Sequence, residues 1–341
     1  MIDLRSDTVT KPTDDMRNAM SQAEVGDDVY GEDPTINTLQ DYCAELFGKE
    51  RALYVPSGTM ANQTSLGAHT QPGDEVICEY GCHIFNYEAG GPGLLSNIQL
   101  HPLPGDHGIL TAEQIRAAIR PANVHHPVTK VISLENTHNR AGGVVYPVEV
   151  IEEISALARE HGLIMHLDGA RLMNAVVATG IAPIEYANHF DSVTLCFSKG
   201  LGAPVGSIVM GHDEFITGVH RYRKIFGGGM RQAGIIAAGA LYAIHNNVDR
   251  LKTDHSHAKK LAAGLAEMPG LSVELEWVQT NIVIFDVDPD LMTAADLCDA
   301  MRERDIYMNP IASDRVRAVT NLMVSEEDIE EAIRQFQLVL Q

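Results

Sequence analysis

The feature that most constrains this chain is a regular alternation of short apolar runs with longer amphipathic patterns, which fills its first two-thirds. Apolar runs of about four to eight residues are typical of buried strands, whereas a hydrophobic period near 3.6 residues predicts a helix. Strands that alternate with helices predict a mostly parallel sheet that is covered on both faces. The predicted strands are residues 51–56, 75–79, 128–135, 162–168, 192–198 and 206–211.

The segments between these strands carry helical patterns, and two of them end at glycines suited to a left-handed C-cap, Gly162 and Gly180. Beyond residue 247 the order of elements changes, and apolar runs no longer alternate regularly with helices. The elements predicted there are helices near 250–267, 293–303 and 325–340 and strands at 271–278 and 281–287. The sequence therefore predicts an N-terminal segment and large α/β domain over residues 1–247, followed by a smaller α+β domain over residues 248–341.

The charge and the cysteines exclude several classes of partner. Acidic residues number 46 against 25 basic ones, a formal charge of −21, which argues against nucleic acid or an anionic membrane as a partner. No apolar run approaches the roughly 18 residues of a membrane span, and no secretory signal is visible, so we expect a cytoplasmic protein. Five cysteines do not indicate a disulfide framework, and Cys78 and Cys82 lack the second pair of ligands that a zinc site needs. No metal site is predicted.

A lysine stands where an apolar strand ends, in the stretch "SVTLCFSKGLGAPVG". Lysine is seldom buried, but at this place Lys199 could attack a carbonyl group and hold it as a Schiff base. The alternative is an ordinary surface lysine in a loop. Glu135 and Asp168 also end predicted strands, and the carboxyl ends of parallel strands meet at one edge of a sheet. We therefore expect Glu135, Asp168 and Lys199 to line that edge, where ligands of open α/β sheets bind.

Three further features share this predicted edge. Asp168 could pair with the protonated pyridine nitrogen of pyridoxal 5'-phosphate (PLP), or it could cap the next helix. Residues 57–59 (Ser-Gly-Thr) open a helix whose backbone N–H groups could bind a phosphate, although many helices begin in this way. His83 follows a predicted strand and could stack on a flat cofactor, or it could be an ordinary histidine. Together with Lys199, these groups predict a PLP site.

The chain resembles the low-specificity L-threonine aldolases, a family of PLP-dependent enzymes of fold type I. The stretches that carry the resemblance run from residue 4 to residue 325 and are "LRSDTVTKPT", "DDVYGEDPT", "PSGTMAN", "SLENTHN", "HLDGARLMNA", "CFSKGLGAPVGS", "GGGMRQAG" and "RAVTNLMVS". The resemblance implies a large domain with a mostly parallel seven-stranded sheet between helices, plus a small α+β domain. It also implies a carbon–carbon lyase that cleaves L-threonine or L-allo-threonine reversibly to glycine and acetaldehyde.

The resemblance assigns roles residue by residue. Lys199 would form the Schiff base, Asp168 would pair with the pyridine nitrogen, and His83 would stack on the ring. A substrate carboxylate would lie between Ser6, Arg171 and Arg317, because guanidinium groups match carboxylates bidentately. The implied cofactor-binding residues are Gly58, Thr59, His83, Asp168, Arg171, Lys199, Lys224 and Arg231, and the implied substrate-binding residues are Ser6, Tyr30, Arg171 and Arg317.

The base that removes the β-hydroxyl proton stays open. His83, a water molecule and His125, next to His126 in "NVHHPVTK", are candidates, since a histidine near its ordinary pKa suits proton transfer. The two adjacent histidines could equally be a polar loop pair. Asn321 stands where many relatives carry a histidine, which weakens any mechanism that needs an imidazole there.

Alternative activities and the assembly state also stay open. The rivals are a phenylserine-type aldolase, a PLP-dependent β-eliminating lyase and a PLP-binding protein without activity, and the last would not need every matched group. The expected partner is a small amino-acid substrate. A homotetramer, as a dimer of dimers with sites at subunit interfaces, is expected from the resemblance, with Tyr30 and Lys224 near such a boundary.

Overall fold

The computed structural model describes residues 1–340. Its strands are β1 (Ile2–Asp3), β2 (Arg51–Val55), β3 (Asp74–Glu79), β4 (Gln99–Leu103), β5 (Val128–Glu135), β6 (Ile164–Gly169), β7 (Ser192–Cys196), β8 (Ser207–Gly211), β9 (Leu271–Ser272), β10 (Ile282–Val287), β11 (Ile306–Tyr307), β12 (Asn309–Pro310) and β13 (Arg315–Val319). Its α-helices are α1 (Asp14–Ser21), α2 (Pro34–Leu46), α3 (Gly58–His69), α4 (His83–Asn86), α5 (Gly91–Leu95), α6 (Ala112–Ala118), α7 (Val148–His161), α8 (Leu172–Thr179), α9 (Pro183–Ala187), α10 (Asp213–Ile225), α11 (Gly234–Asn246), α12 (Leu251–Ala266), α13 (Ala294–Arg302) and α14 (Glu326–Val339). Within residues 1–340, none of these helices combines the length and the apolar character that crossing a bilayer requires.

The main sheet has seven strands in the order β2-β8-β7-β6-β5-β3-β4. Only β8 runs against its neighbours, so the sheet is mostly parallel, as predicted. Each of the six strands predicted before residue 247 is present. The strand of this sheet that the sequence analysis missed is β4, which lies at the edge and carries Pro102. Proline interrupts an apolar strand pattern and is tolerated at a sheet edge, where one side of the strand needs no partner.

Local signals placed the helix ends correctly. Gly162 and Gly180 follow α7 and α8 with φ of 65° and 77°, the left-handed conformation that only glycine adopts at little cost. Both predicted C-caps are therefore confirmed.

A second, antiparallel sheet has the order β12-β13-β10-β9, and β1 pairs in parallel with β11. The strand predicted at 271–278 is wrong beyond Ser272, because Leu275–Trp277 form a 3₁₀ turn. The Trp277 ring stacks on His107 of the first part of the chain, with ring centroids 3.9 Å apart. This long-range contact competes with the alternating pattern that favoured a strand.

The two sheets have separate hydrophobic cores, and two smaller apolar clusters also pack on the seven-stranded sheet. The larger core surrounds the seven-stranded sheet, and the smaller one includes Leu261, Phe285 and Phe336. We propose that these cores correspond to two domains that divide near residue 248. Ile2 and Leu4 pack in the smaller core, so the first residues of the chain join the second part of it.

Candidate active site

The carboxyl ends of β5, β6 and β7 bring the predicted edge residues together. Glu135 ends β5 directly opposite Asp168 in β6, and Lys199 follows the end of β7 by three residues. Lys199 is half-buried, and its positive charge acts on both Asp168 and His83. The fold therefore places an amine, a carboxylate and an imidazole at one edge of the sheet, where α/β proteins bind ligands.

Asp168 is buried, and its surroundings favour the ionised carboxylate. Its Oδ2 accepts a hydrogen bond from Asn62 Nδ2 at 2.7 Å, and its Oδ1 accepts one from the backbone N–H of Ala170 at 3.1 Å. Burial alone would raise the pKa of Asp168, but the positive charges of His83 and Lys199 outweigh burial and lower it. Asp168 does not cap α8, whose N-cap is Arg171, so the capping alternative fails. An ionised, buried carboxylate suits a cationic ring nitrogen.

The first turn of α3 forms a tight cradle against the end of β7. Ser57 is the N-cap, and its Oγ accepts a hydrogen bond from the N–H of Met60 at 3.2 Å. The N–H groups of Gly58 and Thr59 find no acceptor within the helix, since first-turn amides never do. A Cβ added at Gly58 would lie 2.7 Å from Cys196 Sγ, so only glycine fits here. Open amides at a helix N-terminus suit a phosphate.

We expect Gly58→Ala to destabilise the protein by about 1–3 kcal/mol and to weaken PLP binding, because the new methyl group overlaps Cys196 Sγ. Urea unfolding of the apo protein and PLP titration measure the two effects. The double variant Gly58→Ala/Cys196→Ala removes the overlapping sulfur and should recover most of the lost stability. If the double variant is no more stable than Gly58→Ala alone, the clash is not the cause.

His83 is held in a fixed orientation beside Asp168. Its backbone N–H donates to Glu135 Oε2 at 2.7 Å, and its ring Nδ1–H donates to Glu88 Oε1 at 2.9 Å. Burial alone would lower the pKa of His83, but the hydrogen bond with Glu88 and the charge of Asp168 outweigh burial and raise it. Nδ1 is committed to Glu88, so Nε2 is the ring atom that can take or give a proton.

Two arginines lie where the resemblance places a carboxylate, Arg171, which is buried, and Arg317, which is half-buried. Arg171 donates from Nε and Nη2 to both oxygens of Asp7, at 2.7 and 2.6 Å. Arg317 donates from Nη1 to Asn139 Oδ1 at 2.9 Å, while its buried Nε has no hydrogen-bond partner in residues 1–340. Burial and the charge of Arg171 lower the pKa of Arg317. An unpartnered buried guanidinium nitrogen is costly, so Arg317 is suited to an anionic ligand.

Ser6 stands next to this pair. It caps the 3₁₀ turn Asp7–Val9, and its Oγ accepts hydrogen bonds from the N–H and the hydroxyl of Thr8. The turn positions Asp7, and through it Arg171.

Several other predicted residues lie apart from this group. His125 is exposed in the loop before β5, and the seven residue steps from Val128 to Glu135 span about 23 Å. This chain therefore does not bring His125 to Lys199, and its catalytic role stays a prediction. Tyr30 and Lys224 are exposed, and Arg231 forms an ion pair with Asp27 at 3.1 Å.

The sequence analysis missed the residues that hydrogen-bond to the site residues and position them, chiefly Asp7, Asn62, Glu88 and Asn139. One signal was available, since Asn62 to Ser65 are polar residues in the middle of a helix that the fold buries. Such groups persist in a core only when they are hydrogen-bonded, so a polar run in a buried helix indicates a partner.

The donor set fits PLP. The cradle at Gly58 suits its phosphate, Asp168 suits its ring nitrogen, the His83 ring suits its flat face and Lys199 suits its aldehyde.

Comparisons with known proteins point the same way. The beta-eliminating lyase family model matches residues 3–288. The low specificity L-threonine aldolase of Escherichia coli K12 is 46% identical over 332 residues, which cover 97% of each chain. A threonine aldolase structure from Leishmania major superposes with a TM-score of 0.85 at 20% identity, over the whole of both chains. A structure of SPT with PLP internal aldimine has a TM-score of 0.77 at 19% identity, covering 99% of this chain and 86% of that one.

Proposed function

Since this chain belongs to the low-specificity L-threonine aldolases, within the beta-eliminating lyase family, we propose that it cleaves L-threonine and L-allo-threonine reversibly to glycine and acetaldehyde. It is a PLP-dependent carbon–carbon lyase. The observation that carries the proposal is the buried Arg317 Nε, which lacks a partner beside the Arg171–Asp7 pair and suits an amino-acid carboxylate. Bound PLP supplies the electron sink for the bond that breaks.

Each residue of the site has a distinct task. Lys199 would hold the aldehyde carbon of the cofactor through Nζ. Asp168 holds the proton at the ring nitrogen, which keeps the ring electron-poor. Arg317 and Ser6, with Arg171 behind them, bind the substrate carboxylate and so turn the Cα–Cβ bond perpendicular to the ring. This orientation selects which bond at Cα breaks.

His83 is the base that this chain itself offers for the β-hydroxyl proton. Nε2 is its available atom, because Glu88 occupies Nδ1. His125 could act only from another subunit, since its own chain keeps it at the far end of β5. The proposed homotetramer with shared sites would allow this, and the exposed Tyr30, Ile225 and Leu94 give such an assembly apolar surface to bury.

We place the protein in the cytoplasm. The five cysteines are buried free thiols, which suits a reducing compartment.

Product analysis tests the function. Holoprotein incubated with L-threonine should yield equal amounts of glycine and acetaldehyde, and glycine with acetaldehyde should yield threonine and allo-threonine. A β-eliminating lyase would instead release ammonia and a keto acid. Ammonia without acetaldehyde would overturn the proposal, whereas cleavage of phenylserine alone would favour the phenylserine-type aldolase.

We expect Arg317→Lys to raise the KM for L-threonine about 10- to 100-fold, because lysine cannot present two parallel donors to a carboxylate. Arg315→Lys is the matched control. Arg315 lies on the same strand but is exposed and pairs with Asp286, so KM should stay unchanged. An equal KM for both variants would exclude Arg317 from carboxylate binding.

A further inference from the structure

Helix α3 carries an unusual load of buried polar side chains behind the cofactor site. Asn62, Gln63, Thr64 and Ser65 follow the phosphate cradle by one turn, and all of them are buried. The hydroxyls of Thr64 and Ser65 bond to carbonyl groups of their own helix, which satisfies them locally. Gln63 donates from Nε2 to Glu88 Oε2, and Asn62 reaches further across the site. Its contacts therefore need a separate explanation.

Asn62 lies between two carboxylates that serve different parts of the site. Its Nδ2 donates to Asp168 Oδ2 at 2.7 Å and to Glu88 Oε1 at 2.8 Å. Carboxylates only accept when they are ionised, so the amide nitrogen of Asn62 must face them and its Oδ1 must face away. Asp168 serves the ring nitrogen, while Glu88 orients His83. One amide thus joins the two halves of the cofactor site.

The hydrogen bonds behind Asn62 then take a single direction. His166 Nε2 lies 3.3 Å from Asn62 Oδ1, which can only accept, so His166 carries its proton on Nε2. Its Nδ1 is then an acceptor, and the Ser192 hydroxyl 2.8 Å away donates to it.

The series of hydrogen bonds extends to one more histidine. His69 Nε2 lies 2.7 Å from Ser192 Oγ, whose own proton is already committed to His166, so His69 donates to Ser192. Burial lowers the pKa of His166 to about 4 and that of His69 well below its ordinary value, so both rings are neutral. Each hydrogen bond in this series therefore has its donor on the side away from Asp168 and its acceptor on the side toward it. The series runs from His69 through Ser192 and His166 to Asn62.

We propose that Asn62 is a positioning residue that holds Asp168 and Glu88 in place beside the cofactor, and that His166, Ser192 and His69 fix its amide in the only orientation that can do so. The inference rests on the proposed pairing of Asp168 with the ring nitrogen. One oxygen of each carboxylate and one ring nitrogen of His83 lie within 4.8 Å of one another, so both negative charges need donors nearby. A reversed amide would aim an oxygen lone pair at both.

The simpler view is that these side chains only satisfy one another in a polar core. That view predicts lost stability on substitution but no change in the electronic state of the bound cofactor. The test must therefore measure the ring nitrogen itself.

We would reconstitute the apo protein with PLP labelled with ¹⁵N at the pyridine nitrogen and record its resonance, together with the PLP dissociation constant. In the unaltered protein the resonance should show a protonated nitrogen. Asn62→Leu should move it toward the unprotonated position and raise the dissociation constant about tenfold, the loss expected for one hydrogen bond to a charged group. Thr64→Val is the matched control, because Thr64 is buried on the same helix but bonds only to the helix backbone. It should leave both quantities unchanged.

Two substitutions at His166 test the direction of the hydrogen bond between His166 and Asn62. His166→Gln can keep a donor at the position of Nε2 and should preserve the resonance. His166→Leu removes the donor and should shift the resonance as Asn62→Leu does.

The outcomes separate the two proposals. An unprotonated ring nitrogen in the unaltered protein would overturn the role of Asp168. A protonated nitrogen that survives both Asn62→Leu and His166→Leu would leave that role standing and reject the positioning role of Asn62. Thermal unfolding shows whether each variant is folded, and a variant that does not fold is replaced by Asn62→Ser, for which the same shift is expected.

Discussion

Replacing Lys199 with alanine is expected to lower the rate of L-threonine cleavage at least about 10⁴-fold, because the variant loses the group that binds the cofactor covalently. The visible absorption that PLP acquires on binding to lysine should also disappear, even after the protein is saturated with PLP. A coupled acetaldehyde assay and an absorption spectrum measure the two losses.

Lys49→Ala is the control for Lys199. Lys49 is also partly buried, but its Nζ donates to the backbone oxygens of Ala187 and Phe190, away from the predicted edge. Its removal should affect stability and leave the absorption intact. A Lys199→Ala protein that keeps the absorption band would make Lys199 an ordinary loop lysine.

Replacing Asp7 with leucine should destabilise the apo protein by about 3–5 kcal/mol, because the Arg171 charge would stay buried without its partner. Arg171 and Asp7 are both almost fully buried. The double variant Asp7→Leu/Arg171→Met removes both charges, and we expect it to be more stable than Asp7→Leu alone. Glu160→Gln is the exposed control, since its pair with Arg116 lies in solvent and its loss should leave the stability nearly unchanged.

The Asp7 pair also gives a pH dependence. Burial alone would raise the pKa of Asp7, but the charge and hydrogen bonds of Arg171 outweigh burial and lower it. Its contribution to stability is therefore complete above the ordinary pKa of an aspartate and is lost as the pH falls through the lowered value. Urea unfolding at a series of acidic pH values gives the free energy of unfolding at each pH. This free energy should fall less steeply with decreasing pH in Asp7→Leu than in the unaltered protein. Equal slopes would mean that Asp7 is not the titrating group.

The parts of the structure that the sequence predicted are those with local causes. Apolar runs predicted the strands that carry Glu135 and Asp168, and the glycine after α7 predicted where that helix ends. The strand wrongly predicted after Ser272 shows the limit of such signals, because Trp277 lies in a 3₁₀ turn and stacks on a distant histidine that no local pattern reveals.

The supporting residues of the site could not be predicted in this way. Arg171 meets Asp7 from 164 positions away, and Asn62 meets Asp168 from 106 positions away. No period or motif encodes a contact between elements that only the sheet order brings together. The strand pattern predicted Lys199 and the resemblance supplied Arg317 by position, but neither could show which neighbours hold them.

The pairing of β1 with β11 affects the order in which the parts of the site form during synthesis of the protein. Arg317 donates to the backbone oxygen of Arg5, which lies 312 residues earlier in the chain. A ribosome adds about 5–20 residues per second, so Arg317 is synthesised about 15–60 s after Ser6 and Asp7. The residues of the strand edge and of the cradle at Gly58 end at Lys199, so they are synthesised before Arg317. During its synthesis the protein can therefore gain its cofactor cradle before it can recognise an amino acid.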